Sequence, residues 1–288
     1  MHRRAAFAVT GLLVALSAAP AAADDAFRKP GDAVPGHPGL TYEDLVRQAV
    51  PDLADSADGT RVEGRFRRPP RHLGGRDFEG DPSDPAVLGA IEDRRILVGG
   101  KKRLVLLADL GGKEGRVEAL ALLMLFDDTG KRPRLLDAAD VGLDKENGFA
   151  EQSVLALGPG DAALATYGDH SDADITLSGY MIVSTIGDRL AMVDWFRVSS
   201  ESLCSWQGTE EPHFTTAPDP GRPYRQIVAT VNAAFTHTGQ EGCSDESLPA
   251  AGAHVYRGTW RWSAAKHRFE PAARGLDGLD KLNDKIFQ

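Results

Sequence analysis

From Tyr224 to Thr236 the side chains alternate with period two. Ile227, Ala229, Val231, Ala233 and Phe235 fall on one side, Gln226, Thr230 and Asn232 on the other, with Val228 as the exception. Only an extended strand brings alternate residues to one face, so this stretch reads as a strand with one buried side. The same character recurs along the chain. Ile175–Ile186 and Arg189–Val198 are β-branched and aromatic runs separated by Gly187-Asp188, which is the pattern of a β-hairpin. Val255–Trp262 and His267–Phe269 form another, turning at Ser263–Lys266. Arg95–Val98 and Leu104–Asp109 read as strands joined at Gly99-Gly100.

Val117–Phe126 is almost continuously apolar and closes on Asp127-Asp128-Thr129-Gly130. A buried helix and a central strand both fit its composition, and the strand-like neighbours favour the strand. Helical periodicity is confined to the two ends of the folded chain. Thr41 and Asp44 make a capping-box pattern ahead of Leu45, Val46, Ala49 and Val50, with Pro51 as the stop. Leu276, Leu279, Leu282 and Ile286 give a short amphipathic C-terminal helix. Strands that follow one another without intervening helices connect antiparallel. The expected fold is therefore mainly β: an antiparallel meander of sandwich, barrel or propeller-like form, with a short helix at each end.

The first 23 residues read as a cleavable signal peptide. His2, Arg3 and Arg4 precede an apolar run from Ala5 to Ala18, and Pro20 precedes the small residues Ala21-Ala22-Ala23, placing cleavage between Ala23 and Asp24. That run is shorter than the roughly 20 residues a membrane-spanning helix needs. The chain thus divides into a signal peptide (1–23), a Pro/Gly-rich lead-in with a short helix and an irregular segment (24–93), and an antiparallel β domain with its C-terminal helix (94–288). A soluble periplasmic or secreted protein with no transmembrane segment in the mature chain is expected. Removing the leader's two arginines takes the formal charge from −9 to −11. An acidic balance of this kind excludes non-specific nucleic-acid binding as a role. The two cysteines, Cys204 and Cys243, are expected to pair as a disulfide in an oxidising compartment.

No local catalytic signature is present: Gly-x-Ser-x-Gly, His-Glu-x-x-His, a phosphate loop, Gly-x-Gly-x-x-Gly and Cys-x-x-Cys are all missing from the sequence. Ser263-Ala264-Ala265-Lys266 spells Ser-x-x-Lys, but that chemistry needs a helical turn, and here the letters fall in a hairpin. Asp169, His170, Asp172 and Asp174 are the densest set of metal-ligand types, able to take a divalent cation or to sit as a solvated loop between strands. Asp140, Asp144, Glu146 and Asn147 form a second such set. Arg61, Arg65, Arg67, Arg68, Arg71 and Arg76 could meet an anionic partner or offset acids of the same molecule. Trp195, Trp206, Trp260 and Trp262 could line a carbohydrate groove or pack in the core. Two functions follow as expectations. One is a non-catalytic binding or interaction module for an envelope ligand or protein. The other is a metal-assisted envelope hydrolase built on Asp169, His170, Asp172 and Asp174.

Overall fold

The computed structural model describes residues 27–74, 85–111, 119–172, 175–202, 206–238 and 249–286. The signal peptide, Arg76, Asp174, Cys204 and Cys243 lie outside the described residues. The fold is mostly β, with antiparallel sheets and one short helix near each end. Helix α1 is Tyr42–Val46 and helix α2 is Leu276–Ile286. Neither is long and apolar enough to cross a membrane, and no other helix among the described residues is.

Three sheets carry the strands. Strands β1 (Ala54–Asp55), β2 (Val62–Gly64) and β3 (Ala86–Leu88) form a small sheet. Strands β4 (Ile91–Val98), β5 (Lys101–Asp109), β6 (Ala121–Asp127) and β7 (Arg134–Asp140) form a four-stranded meander. The rest make an eight-stranded meander in chain order. They are β8 (Glu146–Ala156), β9 (Ala162–Asp172), β10 (Ile175–Ser184), β11 (Ala191–Ser202), β12 (Trp206–Ala217), β13 (Gln226–His237), β14 (Gly252–Ser263) and β15 (Arg268–Arg274). The meander does not close into a barrel: β8 and β15 are its two edges.

Side-chain alternation stacks these parts into layers. On β6, Leu122, Met124 and Phe126 face the N-terminal segment, packing with Tyr42, Leu45, Val46 and Leu53. Ala121, Leu123 and Leu125 face the other way, onto Leu164, Met181 and Val183 of the large sheet. The apolar run there is continuous because both faces of the strand are covered. The large sheet in turn uses its second face. Ala163, Ala165, Ile182, Phe196 and Val198 meet Phe214, Ile227, Ala229, Val231, Trp260 and Trp262, with Leu276 and Leu279 of α2. This is possible because β11 and β12 pair only at Ser200–Ser202 with Gln207–Thr209 and then separate. The sheet bends at that seam, bringing β8 beside β12 and β11 beside β15.

Local expectations meet this frame in detail. Thr41 and Asp44 do make a capping box: the Thr41 amide donates to Asp44 Oδ2 (3.0 Å) and the Asp44 amide to Thr41 Oγ1 (3.3 Å). The helix they start ends at Val46, one turn before Pro51. The β10–β11 hairpin exists, but its ladder stops at Ser184 opposite Ala191, so its connection is longer than a two-residue Gly187-Asp188 turn. The segment from Asp52 to Asp93 has no sustained period, yet it contributes all of β1, β2 and β3 and the start of β4. These strands are two or three residues long before β4, too short for periodicity to register.

Where β11 leaves β12, its exposed backbone is satisfied by side chains. The Arg197 amide donates to Asp280 Oδ1 (3.4 Å), and Asn283 Nδ2 donates to the Arg197 carbonyl (3.3 Å). The Ser199 amide donates to Glu210 Oε2 (2.8 Å). Helix α2 therefore stands in for the strand that β11 lacks, as buried backbone groups require.

Candidate functional site

Of the expected acidic set, Asp169, His170 and Asp172 are strand residues. Asp169 and His170 lie within β9, which runs to Asp172, the residue paired with Ile175 at the start of β10. The ladder sets Asp169 opposite Glu146 of β8. Asp144 Oδ1 lies 3.3 Å from His170 Nδ1. The two acidic sets of the sequence thus meet at one end of the β8–β9 pair. Burial raises the Asp169 carboxyl above its ordinary range, and the Glu146 and Asp144 charges raise it further. Asp109, at the end of β5, is raised by burial and then by Glu146. Among the described residues no three His, Cys, Asp or Glu side chains come together as a metal-ligand group. Asp140 stands apart. It accepts from the Gly142 amide (2.8 Å) and contacts His72 Nδ1 (2.8 Å), tying Arg71–Leu73 to the end of β7.

The other expected features separate likewise. Trp206, Trp260 and Trp262 are buried, and Trp195 packs at the edge of the core between the sheets. Trp260 Nε1 donates to Asp194 Oδ2 (2.7 Å), across the two halves of the bent sheet. These rings fill the interior and form no sugar-stacking groove. Ser263 ends β14, and Lys266 lies in the turn after it. The helical geometry of a Ser-x-x-Lys nucleophile is therefore absent. Arg61, Arg65, Arg67, Arg68 and Arg71 are all exposed. Arg71 is paired with Asp137 (3.0 Å), which is the intramolecular role.

A recess lined with hydrogen-bonding groups is on the outward face of the seam. A shallow groove of about 540 Å³ crosses β10–β13. Successive ladders align Thr176, Ser200, Thr209 and Ala234 in one row, and Ser202, Gln207 and Thr236 in the next. The polar side chains of these rows are hydroxyls and one amide; Ile175 and the buried acid Glu201 complete the lining. Gly208 adds only backbone to the lining, since it has no side chain. A Cβ at Gly208 would come 2.6 Å from Trp206 Cζ3 and 3.0 Å from Phe235 Cδ1 on the inner side. The sheet is thin here because an aromatic pair packs directly beneath it.

On the inner side of the same seam lies a buried polar cluster that sequence reasoning overlooked. Glu201 sits opposite Gly208, and Glu210 is the next residue of β12 on that face. Both are buried, as are Ser199 and Asn283. Glu210 Oε2 accepts from the Ser199 amide and from Asn283 Nδ2 (3.1 Å). Burial pushes the Glu210 carboxyl up to about 7, against those hydrogen bonds and with help from the Glu201 charge. Burial also raises Glu201. One signal was available in the sequence. Trp206, Gly208, Glu210, Pro212 and Phe214 share a strand face, so Glu210 is an acid in a row whose ends are aromatic and inward-facing.

A second recess of about 510 Å³ lies between the β8–β9 turn and the β12–β13 loop. Asp219 Oδ2 there is 3.2 Å from Arg222 Nε and 3.6 Å from Arg261 Nε, and Arg225 donates to the Thr216 hydroxyl and carbonyl. No protein-family model matches this chain, and neither a curated protein nor a solved structure matches it.

Proposed function

We propose that the protein is an exported, non-catalytic binding module, and that it recognises an uncharged, hydroxyl-rich envelope ligand on the outward face of β10–β13. The groove across the seam carries this reading. Its outward-facing polar side chains, Thr176, Ser200, Ser202, Gln207, Thr209 and Thr236, both donate and accept hydrogen bonds without bringing a charge, and Glu201 of the same lining is buried on the inner alternation of β11. Its volume falls within the range of about 300–1,000 Å³ typical of small-molecule sites. The rigid ladder beneath it holds the groups in fixed rows, which lowers the entropic cost of binding.

Export is proposed from the leader, with cleavage after Ala23. The Cys204–Cys243 bridge is proposed with it. The ladder pairs Trp206 with His237, so the β11–β12 and β13–β14 connections leave from one end of adjacent strands. Cys204 is two residues before Trp206, and Cys243 is six residues after His237. Chain reach of about 3.3–3.6 Å per residue lets the two meet.

A glycan microarray probed with the labelled mature chain tests the binding role. Binding that is lost in Ser202→Arg and Thr209→Arg supports it. Silence across the array, or binding that both variants retain, contradicts it. The second reading is a metal-assisted hydrolase, favoured by two neighbouring pairs, Asp144 with His170 and Glu146 opposite Asp169. Elemental analysis of the purified protein separates the two, because the hydrolase requires a bound metal that Asp169→Asn releases.

A further inference from the structure

We propose that Glu201, Glu210 and Asn283 hold a hard divalent cation of the calcium type, buried between β11, β12 and α2. Glu201 also belongs to the groove's lining, but the buried cluster lies on the inner alternation of β11 and β12, and the inference does not depend on the groove's role.

Hydrogen-bond accounting carries the argument. Glu201, Glu210 and Asn283 are 4%, 6% and 1% exposed. Four of their oxygens have no hydrogen-bond partner: both carboxylate oxygens of Glu201, Oε1 of Glu210 and Oδ1 of Asn283. The Ser199 hydroxyl is the one polar side chain that eases the Glu201 carboxyl, and it is shared with Glu210. Buried acceptors are almost always paired, so four in one cluster point to a missing positive partner. The remaining ends of the same groups are committed. Glu210 Oε2 takes two donors, and Asn283 Nδ2 reaches both Glu210 and the Arg197 carbonyl. That double contact assigns the nitrogen end of the Asn283 amide and leaves its oxygen as the unpartnered end.

Charge agrees with this. The acids around the cluster are Glu201, Glu210, Asp280 and Asp284, and Arg197 is the cation set among them, paired with Asp284. Arg197 is taken up by Asp284 at the surface, and among the described residues no Lys or Arg forms an ion pair with Glu201 or Glu210. The ligand set contains oxygen alone, which selects calcium or magnesium over zinc, whose sites use nitrogen and sulfur. Calcium fits better of the two. It accepts irregular sets of about six to eight oxygens, including bidentate carboxylates and amide oxygens. A primary amine is a poorer match, because its three N–H donors cannot serve four acceptors.

Calorimetry and thermal unfolding of the chelator-stripped mature chain test this. One calcium ion per chain should bind, and the melting temperature should rise as calcium is added. Glu201→Gln and Asn283→Ala should each weaken binding at least tenfold, whereas Asp169→Asn should leave it unchanged. If a variant fails to fold, the wild-type titration still decides. An unchanged melting temperature with no heat of calcium binding overturns the proposal. So does a calcium response that survives Glu201→Gln but is lost in Asp169→Asn, or a response to zinc alone.

Discussion

Arg103 on β5 holds Asp188 through two parallel hydrogen bonds, Nε to Oδ1 at 2.7 Å and Nη2 to Oδ2 at 2.8 Å. Arg103 is 2% exposed, whereas Asp188 sits in the β10–β11 connection with φ of +60°. The pair therefore joins the four-stranded sheet to a hairpin of the large one, and it does so with a buried cation. Asp127 is the second partner of that guanidinium, at 2.9 Å. Asp188→Ala leaves the arginine half-paired in the interior and puts a side chain that cannot bond locally into a left-handed conformation. The expected loss is about 3 kcal/mol, within the range for breaking a buried pair. Asp188→Asn, which tolerates that conformation and keeps one hydrogen bond, should lose less. Urea unfolding of the three proteins checks the order.

Gly208 should not tolerate a side chain. A Cβ there meets the Trp206 and Phe235 rings at 3.0 Å or less, and both rings are buried. Gly208→Ala is expected to cost about 1–3 kcal/mol, as overpacking does. The midpoint of thermal unfolding should fall accordingly. A neutral result would mean that the rings can move.

Glu210 makes stability depend on pH. Its folded carboxyl titrates near 7, raised from an ordinary 4.5 by burial first. The groups facing it are Glu201 on β11, Asn283 on α2, the Ser199 amide, and Tyr256 on β14, whose hydroxyl is raised in turn by burial and by Glu210. Between pH 4.5 and 7 the folded state binds the proton more tightly than the unfolded state does. The contribution is fully present below the unfolded value and is lost as pH rises through 7. A shift of this size corresponds to about 3 kcal/mol. In metal-free buffer, Glu210→Gln should remove that decline, so the difference between variant and wild type should grow from pH 4.5 to 7 and then level off.

The bridge and the leader make paired chemical predictions. Thiol labelling of the exported protein, unfolded without reductant, should give almost no label, and two labels per chain after reduction. Intact mass should start at Asp24. Two labels before reduction would refute the Cys204–Cys243 bridge, and a mass that includes Met1 would refute cleavage.

The strands were legible wherever one period ruled a whole segment. β13 shows this best, with Ile227 to Phe235 buried in alternation and Asn232, Ala234 and Thr236 exposed. The β6 run was legible as a strand only by its neighbours, because burial on both faces erases alternation. The three short strands before β4 were not legible, since two or three residues carry no period. For sites, residue type drew attention to Asp169 and His170, and the fold then set Glu146 of β8 and Asp144, just before that strand, beside them. Glu201 and Glu210 escaped notice because nine positions separate them in the chain. Their meeting depends on the β11–β12 pairing and on α2 folding back over it. No local pattern encodes that return.

The account turns on where ligand meets the sheet. Amide chemical-shift mapping of the mature chain during titration with an envelope glycan that it binds tests this most directly. Shifts should concentrate at Thr176, Ser200, Ser202, Gln207, Thr209 and Thr236. Shifts centred instead on Asp144, Glu146, Asp169 and His170, with the β10–β13 face unmoved, would contradict it.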